Sequence, residues 1–456
     1  MYCLQRILFR GQIHFLLYFL CGFLAFYVTI QSLAFQFSGS RELVSLLRYL
    51  KEIMVFITAM SWLLYRKDIY RARLKLMMPD YLFMAIMAYA FMYVILPIGP
   101  SPFISKALYF KNILMLGVMY FFGRVMLLKE YQLTDLLKLI LTLTVIAFIF
   151  NVAEKLSNHH FQSLSGYALW LEEIDKSITS GNYGLTWTFE AESGAKRYAA
   201  FFANPLELAS AMLLSFSTAL ILFLNKKGHL SQWIYGSILI LSVGCLFFAY
   251  SRASIAAFFL LLFFIAIILG YYKFILYGLI SVLVFVMFIF LFATDDLRYF
   301  VIDSLSLADS SSLGHVVEWI EGLESIAADP LGLGLGTSGN AGGVDAEFKV
   351  GGENQFIVFG VQLGVPFLLL YLGLIITSIY YSVKAYSVGV GLAEKAVPFI
   401  AATFKFAFLL PLMTANAEVY AYVAYLSWWM VGYSVQLYGD AKEGTALGMK
   451  INTAVN

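Results

Sequence analysis

Residues 251–293 read SRASIAAFFLLLFFIAIILGYYKFILYGLISVLVFVMFIFLFA, and within them only Arg252 and Lys273 carry charge. A bilayer core about 30 Å thick asks a crossing helix for about 20 apolar residues. The stretch is therefore two crossings, split where Gly270-Tyr271-Tyr272-Lys273 interrupts the apolar run. Arg252 heads the first of them, in a connector only a few residues long. Immediately beyond, the region from Ala293 to Glu353 carries carboxylates, a histidine and a glycine-rich turn, and few long apolar runs. Lipid-length runs on either side make this a loop of a membrane protein.

Composition agrees with that reading outward from the stretch. Hydrophobic residues make up 61% and charged residues 13% of the chain, with a mean hydropathy of +0.81, outside the range of soluble domains. Strands of a transmembrane β-barrel would alternate apolar and polar residues, whereas these runs are continuous. The predicted fold class is all-α and polytopic, with about 12 transmembrane helices. A net charge of +2 gives no footprint for nucleic acid. The aromatics, 17% of residues, suit lipid-facing and interfacial positions. Cys3, Cys21 and Cys245 lie in or beside spans, which implies neither a disulfide framework nor a thiolate metal cluster. The first apolar run reads as a retained span and not a signal peptide.

Taken in order, residues 1–292 hold helices 1 to 9, the first a span from about Ile13 to Phe35, with a polar loop over about 153–203. Residues 293–354 form the large loop, and 355–456 hold helices 10 to 12 and a tail. The basic connectors at 66–75, 226–227 and 384–395 then fall on one side with Arg6, Arg10, Lys442 and Lys450. By the positive-inside rule that side is cytoplasmic, so both termini are inside and both long loops are outside.

Helices 6, 8 and 10 thus begin at the outer surface, near Arg197, near Arg252, and near Glu353 with Asn354. Helix N-termini and arginine forks together suit a diphosphate, because amide groups and guanidinium donate to phosphate oxygens. The plainer reading of Arg252 is an interfacial arginine on lipid headgroups. Asn204-Pro205 opens helix 6 with an N-cap acceptor and a proline at N1. Arg48, Lys51 and Glu52 fall in the outer half of helix 2, where they face either a cavity or solvent from an amphipathic segment. Lys111, Arg124, Lys138 and Lys405 read as snorkelling side chains. Gly334-Leu335-Gly336-Thr337-Ser338-Gly339 fits G-x-G-x-x-G, but no βαβ unit surrounds it, and tight turns are expected instead. His315 with Glu318, Glu321 and Glu324 recurs at helical spacing, as on a solvated amphipathic helix. No HExxH, Walker A or nucleophile-elbow stretch occurs, and neither cofactor nor metal is expected.

Three stretches in combination resemble the O-antigen ligase and polymerase superfamily: Arg197 with Ala203-Asn204-Pro205; Tyr250-Ser251-Arg252-Ala253-Ser254; and Asp329-Pro330-Leu331-Gly332-Leu333-Gly334 with Glu353-Asn354-Gln355-Phe356 and Gln362-Leu363-Gly364. The resemblance runs from Arg197 to Leu372 in the family's order. It implies a GT-C-like glycosyltransferase of the bacterial inner membrane that takes an undecaprenyl-diphosphate-linked glycan as donor at the periplasmic face. Arg197 and Arg252 would be its diphosphate-binding pair. Glu353 stands where the ligase branch typically carries a histidine, and His315 where an arginine often begins the loop helix; both departures favour a Wzy-type polymerase of O-antigen, capsule or exopolysaccharide.

The expected catalytic residues are then Glu353, Arg252 and Arg197, with Arg48, Lys51, His315, Asn354 and Asn204 binding substrate. Glycan donor and acceptor, membrane lipids, a chain-length regulator and a flippase are the expected partners. A ligase acting on lipid A core is the alternative within the family. A membrane transporter is the alternative outside it, although the conspicuous charges sit at the outer edge and not at the midplane.

Overall fold

The computed structural model describes residues 2–65, 74–126, 128–176, 179–191, 194–225, 228–292, 310–340, 344 and 346–454. The connector from Arg66 to Arg73, the pair Lys226-Lys227 and the opening of the long loop at 293–309 lie outside the described residues. The helices run α1 (Tyr2–Arg10), α2 (Phe15–Ala25), α3 (Tyr27–Ser38), α4 (Arg41–Tyr65), α5 (Met78–Ile95), α6 (Phe103–Val125) and α7 (Glu130–Ser157). The first long loop holds the single turns α8 (Phe161–Leu164) and α9 (Tyr167–Trp170). Then come α10 (Pro205–Asn225), α11 (His229–Ala249), α12 (Arg252–Ile268), α13 (Tyr272–Phe292), the loop helix α14 (Ser310–Ala328), α15 (Gln355–Val388), α16 (Leu392–Thr414) and α17 (Ala421–Ala454).

The fold is all-α and polytopic. Of the described helices, α5, α7, α10, α11, α15 and α16 are long and apolar enough to cross a membrane, and α2 with α3 makes up to 7. The first span that the sequence suggests is bent: α2 and α3 meet at 61° on Phe26, whose φ of −102° and ψ of 11° leave the helical well. Of the other spans that the sequence suggests, α13 is 21 residues long and strongly apolar, whereas four are less apolar or shorter. Helix α4 carries Arg48, Lys51 and Glu52, α6 carries Lys111 and Arg124, α12 is short, and α17 is rich in Tyr and Trp.

Two contacts show how the bundle closes. Helix α10 is buried nearly all round and packs on α11 and α16, so it is apolar on every face. Helices α6 and α17 cross where Gly123 meets Gly432: a Cβ on either would overlap backbone of the other helix, the close approach that small residues permit in membranes.

Connectors alternate between two ends. At the loop end, Gly99 packs on Leu333 and Gly334, Gly166 on Gln36 and Gly339 on Asn416, and the Tyr198 amide donates to the Phe248 carbonyl at 3.0 Å. At the opposite end Arg124, predicted to snorkel, is 3% exposed. It donates from Nε to Asp80 Oδ1 at 3.0 Å, from Nη1 to Gln436 at 2.7 Å and from Nη2 to the Lys75 carbonyl at 2.7 Å. Lys405 does not snorkel either: it is wholly buried beneath the Trp428 ring, 3.8 Å from Glu418. Lys111 pairs with Glu52 at 2.9 Å. Burial with a carboxylate partner is the alternative to reaching for the interface.

The glycine-rich segment forms turns, as its composition implies, and the structure shows what they serve. Gly364, at φ 76° and ψ −179°, breaks α15 after its first turns. Backbone from the long loop docks into that break: the Leu333 and Gly334 amides donate to the Val361 and Gln362 carbonyls at 2.7 and 2.9 Å, and the Val365 amide to the Pro330 carbonyl at 2.9 Å. Gln362 completes the joint, accepting from the Gly336 amide at 2.7 Å and donating to the Ser338 carbonyl at 2.8 Å. A Cβ on Gly332 would lie 2.5 Å from the Gly364 nitrogen and one on Gly364 closer still to the Pro330 carbonyl oxygen, so both sides of the joint need glycine.

Candidate active site

Arg197 reaches the site through a local hairpin. Glu190 and Lys196 form an antiparallel bridge, the Arg197 amide donates to the Phe189 carbonyl at 2.9 Å, and the next amide anchors on the last turn of α11. Helix α11 ends there, Tyr250 turns into the left-handed region at φ 46°, and Ser251 caps α12 by accepting from the Ser254 amide at 3.3 Å. Arg252 is thereby the first residue of α12. Burial, and after it the charge of Arg252, lower the pKa of Arg197, which places two like charges within reach of one another. The Arg197 Nε is buried with no hydrogen-bond partner.

The loop itself is held down by groups the sequence reading did not single out. Glu154, at the end of α7, accepts from the Phe161 and Ala200 amides at 2.8 and 3.0 Å. Gln162 donates to the Ala200 and Phe202 carbonyls at 2.8 and 2.9 Å. A second small core of Phe35, Val44, Tyr167, Trp170, Leu185 and Phe189 lies beneath. Apolar burial of that kind lets a polar loop hold one conformation.

Facing the arginines, α14 packs on the first turns of α15, with Gly322 against Ile357 and Ile326 against Gly360. His315 on α14 forms an ion pair with Glu353, their side chains 31% and 41% exposed, open enough for a ligand to reach. The hydrogen bond to Glu353 is the largest influence raising the His315 pKa, while burial and the charge of Arg252 oppose it. Burial, and then Glu353, raise the Glu318 pKa. Arg197, Arg252, His315 and Glu353 therefore form one electrostatic neighbourhood. Asn354 is the N-cap of α15, its Oδ1 accepting from the Phe356 and Ile357 amides at 3.0 and 3.3 Å.

The remaining candidates lie apart from these. Arg48, Lys51 and Asn204 line a cavity of about 450 Å³ between α3, α4, α6, α10, α15 and α17. Lys51 is buried and donates to the Tyr27 hydroxyl at 2.5 Å, so the solvated amphipathic reading of this stretch does not hold; Arg48 pairs with Asp175 at 2.9 Å. Asn204 caps α10, accepting from the Glu207 amide at 2.9 Å, while Glu207 accepts from the Ala203 amide at 3.3 Å. The spacing Asn204-x-x-Glu207 is a capping-box signal that could have revealed Glu207. Asn340, Gln355, Asn416, Glu418 and Tyr420 complete the polar wall. Buried Tyr420 feels the charges of both Glu207 and Glu353, which links cavity and arginine cluster. Among the described residues no group of three or more His, Cys, Asp and Glu side chains is arranged to hold a metal ion.

Residues 237–372 match the family model described as O-antigen ligase. The matched stretch contains Arg252, His315, Glu353, Asn354 and the whole joint from Gly332 to Gly364, and excludes Arg197 and the α3 and α4 wall of the cavity. A search of curated proteins returned no match to the chain.

Proposed function

We propose, from the match of residues 237–372 to the family model described as O-antigen ligase, that the chain is a polymerase joining undecaprenyl-diphosphate-linked oligosaccharide repeat units into O-antigen, capsule or exopolysaccharide. The proposed setting is the periplasmic face of a bacterial inner membrane, with both termini cytoplasmic and a GT-C-like bundle below. The observation that carries the reading is the apposition of Arg197 and Arg252, which come from distant parts of the chain: burial, and after it the charge of Arg252, lower the pKa of Arg197. Two guanidiniums that feel one another's charge in a partly buried site favour a bound dianion, and Arg252 adds the amide end of α12.

In the proposed step, an acceptor sugar hydroxyl attacks the anomeric carbon of the donor. The new C–O bond forms as the bond from that carbon to the phosphate oxygen breaks, and undecaprenyl diphosphate departs with the electron pair. Arg197 and Arg252 stabilise its growing charge. Glu353 accepts the hydroxyl proton and returns it to solvent, with His315 holding the carboxylate in place. Displacement from the opposite face inverts the anomeric centre, and no metal takes part.

The family description favours a second reading, ligation of the glycan to lipid A core. Replacing Arg252 by Ala in cells with a readable surface polysaccharide separates them. Loss of long chains with single repeat units persisting supports a polymerase. Loss of every surface-attached unit supports a ligase. Full-length chains in that variant would overturn both. Purified protein that moves lipid-linked units across a membrane without lengthening them would make it a carrier.

A further inference from the structure

The cavity beside the arginine cluster has the chemistry of a sugar site. Its wall presents the rings of Tyr27, Tyr109, Tyr167, Trp170, Tyr420 and Tyr425, flat apolar faces with polar tips of the kind that stack on the C–H faces of pyranose rings. Three buried polar atoms on its lining residues have no hydrogen-bond partner: Gln31 Oε1, Trp170 Nε1 and Asn416 Nδ2. One acceptor and two donors left open in a roomy cavity match hydroxyl groups, which both donate and accept.

Charge excludes the diphosphate from this place. Arg48 is matched by Asp175, Lys51 and Lys111 by Glu52 and Lys405 by Glu418, and Glu207 adds a further carboxyl group to the wall. A volume of about 450 Å³, small among ligand sites, suits the end of a glycan and not a polyprenyl tail. The cavity also adjoins the base. Asn340, on its wall, donates to the Gly352 carbonyl at 3.5 Å, and Gln355, another lining residue, follows Glu353 by two positions.

We infer that this cavity is the acceptor subsite, binding the uncharged terminal sugars of the acceptor glycan so that one hydroxyl emerges beside Glu353. The part played by Glu353 rests on the function proposed above; oligosaccharide binding in the cavity does not.

The test uses full-length protein in lipid nanodiscs and, as probe, the free oligosaccharide repeat released by mild acid from the producing cell's own lipid-linked donor. Asn416→Leu and Gln31→Leu remove polar groups, and Trp170→Phe removes one donor while keeping a flat ring. Each is expected to raise the KM for the probe as acceptor about tenfold or more, with the half-saturating donor concentration unchanged. An unchanged acceptor KM, or a fall in kcat alone, would overturn the proposal. Calorimetric titration of the probe into Arg252→Ala protein isolates the cavity from the reaction. Binding retained there and lost in Trp170→Phe supports the subsite even if transfer proves to work otherwise, and absence of binding to the unaltered protein defeats it.

Discussion

A buried arginine–aspartate pair and an arginine cluster stand at opposite ends of the bundle, and they differ in how open they are to solvent. At the opposite end from the loops, Arg124 and Asp80 are buried together, and each nitrogen of the Arg124 guanidinium has an acceptor. Tyr120 donates to Asp80 Oδ1 at 2.7 Å and the Met77 amide to Oδ2 at 2.6 Å. At the loop end Arg197 and Arg252 crowd like charges together, beside a histidine and a carboxylate that remain open to solvent. A saturated pair fixes helices in register and has nothing left to offer a ligand. Two arginines beside an exposed histidine and carboxylate leave a charged place that a ligand can enter.

The comparison breaks first, and hardest, at the buried pair. Arg124→Ala leaves the Asp80 carboxylate uncompensated in the interior, and the expected loss is about 3–5 kcal/mol of stability, read as a lowered melting temperature in detergent and poor accumulation. A variant that melts normally yet makes no polymer would instead place Arg124 in the reaction. Arg252→Ala should do the reverse. Transfer falls about 10²- to 10³-fold, as when one stabilising donor is removed from developing negative charge, while the melting temperature barely moves. An equal drop in stability in both variants would erase the distinction between the two ends.

These two arginines also mark how far the sequence could be read. Arg252 was legible because it interrupts apolar runs at a connector only a few residues long, and the helix start at Pro205 followed from local capping chemistry. Arg124 was misread because its partner Asp80 lies on another helix and no local pattern encodes that pairing. The same reason hid the cavity, whose wall draws on many helices, and the dependence of the Arg197 loop on Glu154. The bend at Phe26 has neither proline nor glycine to announce it. The family motif around Gly332 and Gly364 was visible as residues, but its physical role as backbone docked into a broken helix needed the structure.

Glu353→Gln sharpens the comparison within the loop end. It keeps the shape of the side chain and removes the proton acceptor, so transfer should fall about 10²-fold or more with donor binding intact. Undiminished polymer would remove Glu353 from the chemistry. The partner histidine supplies a smaller, pH-dependent effect. Because pairing with Glu353 raises the His315 pKa above its ordinary 6.5, the folded state binds the proton more tightly than the unfolded one. The stability this confers is complete below pH 6.5 and fades as pH rises through the raised value. His315→Gln should flatten that part of the profile of melting temperature against pH. A profile as steep in the variant as in the parent would assign the slope to other groups.

The smallest effect is the most exacting control. Helix α4 sends two arginines to the turn after α9: Arg41 to Glu173 at 2.6 Å with side chains 63% and 44% exposed, and Arg48 to Asp175 at 2.9 Å. Solvent screens pairs of this kind, and each is worth under about 1 kcal/mol, so Arg41→Ala and Arg48→Ala should melt within that margin of the parent protein. They differ in place, since Arg48 lines the cavity and Arg41 does not. If charge at the loop end matters for where it stands and not for what it stabilises, Arg41→Ala leaves polymer length unchanged while Arg48→Ala shortens it. Identical polymer from the two variants would mean that this cationic side of the cavity does not touch substrate, and the functional charge would contract to Arg197, Arg252, His315 and Glu353.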